Sequence, residues 1–234
     1  MLMDDPAETR ESARLSPPDE KVVAIARLIW DRFGSPGTIL VAGCGNGLEA
    51  AHLADLLPAR VIGVDLRGAF RPAARARVEL RRADVTQLPF ENASFDLVFS
   101  FHMLEHVSNA TKAIAEMSRV VRPGGGFWIG TPNRERLVGY IGSRDASLME
   151  KVQWNLIDWR ARLGGRFTNE LGAHAGFAKS ELAEMLKASF DVVEDETVRY
   201  YSVLYPRHRR VLLALERSGL GRIVYPAIYF TGRA

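Results

Sequence analysis

Residues 39–47 read ILVAGCGNG, and this stretch decides the fold. An apolar run leads directly into three glycines at alternate positions, and helical spacing begins immediately after them. Glycines in such a turn let the backbone approach a ligand closely, and the start of the following helix directs amide groups towards it. The stretch therefore predicts a buried strand, a ligand-binding turn and a helix, in that order.

The rest of the chain repeats this alternation of apolar runs and helical patterns, which is typical of an α/β fold with a parallel sheet. Nearly continuous apolar strands indicate that helices cover both faces of the sheet. The predicted strands are 38–42, 60–66, 78–84, 95–101, 126–131, 190–200 and 222–230. One predicted helix begins at Asp19, and the others span 47–57, 68–76, 109–121, 179–189 and 207–217.

The 234 residues, 47% of them hydrophobic, are enough for one well-buried core. Residues 1–18 carry three prolines and no periodicity, so we predict a flexible segment followed by a single domain over 19–234. Residues 134–178 interrupt the alternation with charges, glycines and two tryptophans. We interpret them as an insertion that acts as a lid over the substrate.

The net charge of +3 is unevenly distributed. Residues 60–82 contain seven arginines and two acidic residues, and residues 199–234 contain seven arginines and one acidic residue. This local excess of positive charge favours an anionic partner. Because 199–234 also holds apolar and tyrosine residues, the segment fits two interpretations. One is a half-buried helix and edge strand, and the other is peripheral membrane contact with an anionic or lipid-linked substrate. The chain begins with an acidic stretch, and no apolar run approaches the roughly 18 residues of a membrane helix. We therefore expect a cytoplasmic protein, and with one cysteine no disulfide framework or cysteine-built metal site.

Two carboxylates follow predicted strands at positions suited to a nucleoside. Asp65 ends the second strand, where a carboxylate can accept both hydroxyls of a ribose. Asp84 ends the third strand and is placed to accept from an exocyclic amine such as that of adenine. The glycine spacing is G-x-G-x-G, with Leu48 where a dinucleotide-binding turn has its last glycine, so a nicotinamide cofactor is disfavoured.

The ordered set of motifs resembles the class I S-adenosylmethionine-dependent methyltransferases, specifically the small-molecule group that includes the quinone-biosynthesis methyltransferases. The matching pieces, over about residues 38–133, are GCGNG, Asp65, ADVTQLPF, FDLVFS, MLEHV, RVVRPGG and GTPN. The resemblance implies a Rossmann-like seven-stranded, mostly parallel sheet whose last strand is antiparallel. It also implies methyl transfer from S-adenosylmethionine to a small molecule, most often at oxygen, with S-adenosylhomocysteine as the other product.

The resemblance also assigns the cofactor site. Family members usually carry an acidic residue where Val41 stands, which helps to fix the methionine end of the cofactor. The implied cofactor-binding residues are Gly43, Cys44, Gly45 and Gly47 at the methionine part, Asp65 and Leu66 at the ribose, Asp84 and Val85 at the adenine, and Phe101 after the fourth strand. Cys44 has two interpretations, a nucleophile near a helix start or a small packing residue, and the resemblance favours packing.

Three histidines are candidates for a general base, which a hydroxyl acceptor makes useful at neutral pH. His102 and His106 follow the fourth strand, and His174 stands near the end of the insertion. Each also has a structural interpretation, in a turn or at the surface. Methyl transfer is an in-line displacement, so alignment alone can supply much of the rate and a base is optional.

Three other functions compete with a methyltransferase acting on a small molecule. Val41 leaves open a catalytically silent cofactor-binding subunit, and the glycine turn leaves open a nicotinamide-dependent oxidoreductase. A nucleic-acid methyltransferase is disfavoured, because the sequence has no Asn-Pro-Pro-Tyr-type motif for a flipped base and no separate nucleic-acid-binding module. The sequence does not determine the acceptor or the oligomeric state.

Overall fold

The computed structural model of the protein describes residues 15–140, 146–169 and 175–234. The strands are β1 Thr38–Ala42, β2 Arg60–Asp65, β3 Glu79–Arg82, β4 Phe95–Phe101, β5 Val121–Pro132, β6 Val192–Asp195 and β7 Ala227–Arg233. The helices are α1 Glu20–Phe33, α2 Leu48–Leu56, α3 Pro72–Arg75, α4 Ala110–Val120, α5 Leu148–Leu163, α6 Lys179–Lys187, α7 Thr197–Leu204, α8 Arg209–Arg217 and α9 Gly221–Val224.

Within the described residues, seven strands form one sheet in the order β3-β2-β1-β4-β5-β7-β6. The strands β1 to β5 pair in parallel, whereas β7 runs antiparallel to both β5 and β6. The predicted fold class, with its antiparallel last strand, is therefore confirmed. The strand order reverses at β1, which pairs with both β2 and β4, and ligands of such sheets bind at the carboxyl ends of the strands beside this point.

Helices cover both faces of the sheet, as the apolar strands predict. On one face, α1, α2 and α7 pack on β1 and β4, and Val41 points into this layer with 1% of its surface exposed. On the other face, α4 and α6 pack on side chains such as Leu40 and Val98. The α1 helix begins where Asp19 accepts a hydrogen bond from the Lys21 amide, and it ends at Gly34, which has a φ of 68°.

The C-terminal third differs most from the sequence prediction. The strand predicted over 190–200 is wrong beyond Asp195, because the chain turns into α7 at Thr197. The Asp195 carboxylate accepts from the Thr197 amide at 2.9 Å and starts the helix. Tyr200 and Tyr201 have high strand propensity, but the helix buries both against the core, and this packing outweighs the local preference.

Other predicted boundaries shift by a few residues. The last strand, predicted at 222–230, lies at Ala227–Arg233, since α9 occupies Gly221–Val224 and Pro226 follows it. The helix predicted over 68–76 is a single turn, Pro72–Arg75. The proline supplies a backbone conformation suited to starting that turn.

The predicted flexible segment, 1–18, is described only from Leu15 onward. Leu15 packs against the core, and the Ser16 carbonyl oxygen lies 2.8 Å from Nε2 of the buried His52 on α2. Residues 15 and 16 are thus held against the domain. No helix in the described part of the chain is long and apolar enough to cross a membrane.

Gly232 offers a test of the β6–β7 edge. A Cβ at this position would lie 1.7 Å from the Val192 carbonyl oxygen, which is backbone and cannot rotate away. We expect Gly232→Ala to lower the free energy of unfolding by about 2 to 3 kcal/mol through overpacking, measured by urea denaturation. The control is Gly219→Ala, where nothing lies within 4 Å and the positive φ alone costs about 1 kcal/mol. Equal losses in the two variants would contradict the predicted packing.

Candidate functional site

The glycine turn after β1 has the geometry of a ligand cradle. Gly43, Gly45 and Gly47 all have positive φ angles, of 73°, 55° and 86°. A Cβ at Gly43 would lie 2.0 Å from Cγ of Met103, whereas a Cβ at Gly45 would meet nothing within 4 Å. The turn therefore packs against the residues after β4 on one side and leaves open space at Gly45 on the other.

Asp65 is held at the edge of this turn. Its Oδ2 accepts from the Gly45 amide at 3.0 Å, and its Oδ1 accepts from the Arg67 amide at 2.9 Å. Each carboxylate oxygen can accept a further hydrogen bond, so a fixed Asp65 can still receive two ribose hydroxyls. The adjacent Leu66 is 61% exposed and supplies an apolar surface beside it.

Asp84 and Val85 follow β3, but they face different surroundings. The Oδ1 of Asp84 accepts from the Thr86 amide and hydroxyl, each at 2.8 Å, and these hydrogen bonds lower the pKa of the Asp84 carboxyl. Asp84 thus presents an ionised acceptor at the surface. The Val85 side chain is buried in the core, so a ligand can contact this residue through its backbone.

Cys44 packs in the core beneath the turn. Burial, reinforced by the charge of Asp65, raises the pKa of the Cys44 thiol to about 12. A thiol with this pKa is neutral at physiological pH and is a poor nucleophile. The structure therefore supports the packing interpretation of Cys44 and contradicts the nucleophile interpretation.

A cavity of about 760 Å³ opens at the carboxyl edge of β4 and β5, next to the start of β7. Its walls come from α1, the residues after β4, the start of the insertion and the C-terminal segment. Its side chains include Lys21, Phe101, His102, Glu105, Arg136, Tyr140, Tyr200, Tyr205, Val224 and Tyr229. Because Phe101 and His102 line it, the cavity begins where β4 ends, beside the strand that carries the glycine turn.

Tyrosines make one wall of the cavity. The rings of Tyr200 and Tyr229 lie 3.9 Å apart, and Tyr201 stacks on Tyr225 at 4.9 Å. Burial raises the pKa of Tyr225 to about 12 and that of Tyr229 well above 10. These tyrosines are neutral and buried, so they line the cavity and do not serve as membrane-contacting residues of 199–234.

Glu105, which the sequence analysis missed, lies between His102 and His106. Its side chain is 1% exposed, and its Oε2 accepts from the Thr131 hydroxyl at 3.1 Å. Its Oε1 lies 3.5 Å from His102 Nδ1 and 4.0 Å from His106 Nε2. Burial alone would raise the pKa of Glu105, but the hydrogen bond and charge of His102 more than offset it and lower the pKa. An acidic residue between two histidines after a strand, as in HMLEH, was the available signal.

The candidate bases are placed unequally. His102 and His106 both line the cavity, and His102 has an unusual φ of 49° that turns the chain directly after β4. The Phe101 and His102 rings meet edge to face at 4.3 Å. The third candidate, His174, lies outside the described residues.

The start of the insertion contributes to the cavity through a buried ion pair. The guanidinium of Arg136 lies 3.0 Å from the Asp158 carboxylate of α5, and it also donates to the carbonyl oxygens of Asn133 and Ala175. Tyr140 donates to the same carboxylate at 3.3 Å. The charge of Arg136 is therefore balanced, and α5 is joined to the cavity wall by polar contacts.

Other carboxylates lie near the glycine turn, although Val41 stands where family members usually carry an acidic residue. Asp19 and Lys21 line the cavity, and Glu49 stands on the first turn of α2. Burial raises the pKa of Glu49 to about 7, with Lys21 acting in the opposite direction and Asp19 adding to the rise. Two carboxylates that interact with each other thus come from the start of α1 and from α2, and near pH 7 Glu49 is only partly ionised.

Comparisons with known proteins agree with this geometry. Residues 40–129 match the sequence profile of a family described as "Methyltransferase domain". Over 113 residues the chain is 41% identical to a probable S-adenosylmethionine-dependent methyltransferase of Mycolicibacterium smegmatis, covering 47% of this chain and 42% of that one. It is 35% identical over 115 residues to a ubiquinone biosynthesis O-methyltransferase of Hahella chejuensis, covering 45% and 48%.

Among solved structures, phosphoethanolamine N-methyltransferase 2 of Haemonchus contortus shares the fold, with a TM-score of 0.55 at 21% identity over 89% of this chain and 52% of that one. Residues 40–129 thus match a methyltransferase domain and the chain shares the fold of this solved structure, so the resemblance drawn from the sequence is confirmed. The matched region spans less than half of the length of the two curated relatives.

Glu49 predicts a pH-dependent stability. Its pKa rises from 4.5 to about 7 on folding, so the folded state holds the proton more tightly. The resulting stabilisation is complete below the unfolded pKa and is lost as pH rises through about 7, by as much as about 3 kcal/mol. We expect Glu49→Gln to be more stable than the wild type at pH 8 and similar at pH 4.

Urea denaturation at the two pH values measures this difference. The exposed Glu184 provides the control, because Glu184→Gln removes a carboxylate whose side chain is 74% exposed. If the difference in unfolding free energy between the wild type and Glu49→Gln is the same at both pH values, the pKa of Glu49 is not raised by folding.

Proposed function

We propose that the chain is an S-adenosylmethionine-dependent methyltransferase that methylates a small molecule, most favourably at a hydroxyl oxygen. One observation carries the proposal: the turn that fixes Asp65 through Gly45 shares an edge of the sheet with a cavity containing the His102–Glu105 pair. A nucleoside site and a candidate base thus border one reaction space. We also propose a cytoplasmic location, where the single thiol, Cys44, stays reduced.

The cofactor fits the residues at this edge. The open space at Gly45 admits the methionine part between Gly43, Cys44 and Gly47, and Asp65 accepts the ribose hydroxyls beside Leu66. Asp84 and Val85 receive the adenine, and Phe101 closes the site towards the cavity. When bound, the cofactor supplies a methyl group already activated by a sulfonium. Asp19, at the start of α1, is a carboxylate of the cavity lining, whereas Val41 leaves the usual acidic position apolar.

His102 is the proposed base. With Nδ1 directed at the buried Glu105 carboxylate, its Nε2 is left to accept the proton of an acceptor hydroxyl. Glu105 is a positioning residue: it is fixed by Thr131 and favours the imidazolium that forms as the proton arrives. The cavity walls align the acceptor oxygen with the methyl group, which supplies much of the remaining rate.

The cavity suits an acceptor with a substantial apolar or aromatic part. Its tyrosine wall is neutral, and the charge of Arg136 is matched by Asp158. Lys21 is the cation of the lining that is available for an anionic group, since no carboxylate of the described residues forms a salt bridge with it. The similarity to a ubiquinone biosynthesis O-methyltransferase supports an acceptor of this type.

Asp65 tests the cofactor site. We expect Asp65→Ala to weaken binding of S-adenosylhomocysteine about 100-fold, because two charge-assisted hydrogen bonds are lost, as measured by calorimetry. Asp55→Ala is the matched control, since Asp55 forms an exposed ion pair with Arg77 at the far end of α2. The proposal fails if the wild type does not bind S-adenosylhomocysteine or if Asp65→Ala binds it equally well.

His102 tests the chemistry. We expect His102→Gln to lower kcat at least about 100-fold with a hydroxylated aromatic acceptor, since a positioned base contributes that much. Affinity for S-adenosylhomocysteine should be unchanged, and Glu105→Gln should lower kcat by a smaller factor. The exposed His208 gives a control in His208→Gln.

Other outcomes separate the alternatives. A larger loss in His106→Gln than in His102→Gln would assign the base to His106. Cofactor binding without methyl transfer to any component of a cell extract would favour the silent subunit suggested by Val41. Fluorescence changes on mixing with NADH would favour the oxidoreductase.

A further inference from the structure

The helix α5 of the insertion presents its apolar side to the outside. Successive helical residues are about 100° apart, and on this wheel six of the seven exposed apolar or aromatic side chains fall within roughly 100°, the exception being Ile157. Leu163 is 85% exposed and Leu148 is 80% exposed. We name this set the α5 stripe, and it consists of Leu148, Met149, Val152, Leu156, Trp159 and Leu163.

Polar residues that lie outside the stripe join α5 to the domain. Asp158 is the buried residue of the helix, and it pairs with Arg136. The Asn155 side chain accepts from the Gly139 amide at 2.7 Å and donates to the Gly139 carbonyl oxygen at 3.1 Å. A helix on a folded domain normally buries its apolar stripe. Here the polar side is anchored and the apolar side is exposed, which marks an interaction surface.

The α5 stripe continues onto the C-terminal segment. The Trp159 indole donates to the Leu137 carbonyl oxygen at 3.1 Å, and the Leu137 amide donates to the Ile223 carbonyl oxygen at 2.8 Å. Leu137 and its neighbour Val138 are 43% and 48% exposed, and Val224 in α9 is 38% exposed. Two chain segments that are distant in sequence thus form one exposed apolar surface.

Basic residues lie beside this surface. Four exposed arginines at and before α8 form no ion pair with a carboxylate in the described part of the chain. They are Arg207, Arg209, Arg210 and Arg217. The Tyr225 hydroxyl at the end of α9 donates to the Leu212 carbonyl oxygen in α8 at 3.0 Å, which keeps the two helices together. Apolar side chains bordered by unpaired cations are typical of surfaces that bind anionic membranes.

We propose that the α5 stripe, Leu137, Val138 and α9 dock onto an anionic membrane surface, with the four arginines at the lipid headgroups. Charge decides between occupants: a second copy would add further cations, whereas an anionic bilayer neutralises them. The cavity borders the same surface, because Val224 and Tyr205 line it and are each 38% exposed. This part of the proposal rests on the proposed function: docking at the membrane would let the cavity take an apolar or lipid-linked acceptor from the bilayer.

Vesicle sedimentation tests the docking surface. We expect the wild type to sediment with vesicles of phosphatidylcholine and phosphatidylglycerol at 3:1, and much less with phosphatidylcholine alone. The double variant Leu148→Asp/Leu163→Asp should bind at least about tenfold more weakly, because two apolar contacts are replaced by anions. Arg207→Gln/Arg210→Gln should also bind about 25-fold more weakly, since each arginine contributes about fivefold.

The matched control is Val192→Asp. Val192 is 40% exposed and pairs with Arg233, at the end of the sheet opposite the cavity, so this variant should bind vesicles like the wild type. Absence of the wild type from the anionic vesicle pellet would overturn the proposal. Equal vesicle binding by the wild type and the Leu148→Asp/Leu163→Asp variant would also overturn it. The same holds if ultracentrifugation shows a dimer that this variant abolishes while vesicle binding persists.

Calorimetry with S-adenosylhomocysteine separates this proposal from the proposed function. The stripe and arginine side chains are exposed, so the variants should keep the cofactor affinity of the wild type. Vesicle binding by a wild type that lacks cofactor binding would refute the methyltransferase and leave the docking surface intact. Cofactor binding without vesicle binding would refute the docking surface and leave the proposed methyltransferase intact.

Discussion

The parallel pairing of β1 with both β2 and β4 is the constraint on which the rest of the structure depends. It brings the glycine turn, Asp65 and the residues after β4 to one edge of the sheet. The hydrogen bond from the Gly45 amide to Asp65 then joins two of these strand ends, and Met103 packs on Gly43 from the third. The edge proposed to bind the nucleoside is thus formed by the sheet itself and not by the insertion.

The acceptor side is built differently, from segments that join the sheet late in the chain. The Arg136–Asp158 ion pair holds the insertion together, and the hydrogen bond from the Leu137 amide to Ile223 joins it to the C-terminal helices. Together with the buried tyrosines, these segments line the cavity beside β4. Polar contacts hold α5 in place, and this arrangement leaves its leucines exposed. The same segments therefore supply both the wall of the cavity and the surface proposed to meet a membrane.

The placement of Glu105 illustrates how burial creates function. Its carboxylate is removed from water, yet the hydrogen bond and charge of the His102 imidazole keep its pKa low. An ionised, immobile carboxylate can orient an imidazole without competing for the proton that the base takes up. The cysteine in the glycine turn shows the opposite effect, since burial leaves Cys44 neutral and unreactive.

The sequence by itself determined the sheet, the glycine turn and the position of Asp65, because apolar runs, glycine spacing and strand ends are local patterns. It did not reveal that Tyr200 and Tyr201 belong to a helix, since their burial depends on β7 and α9, which lie 20 or more residues further along the chain. Nor did it identify Glu105 as the partner of His102 or α5 as a helix with its apolar side outward. Those features depend on which surfaces meet in three dimensions, and only the tertiary structure decides that.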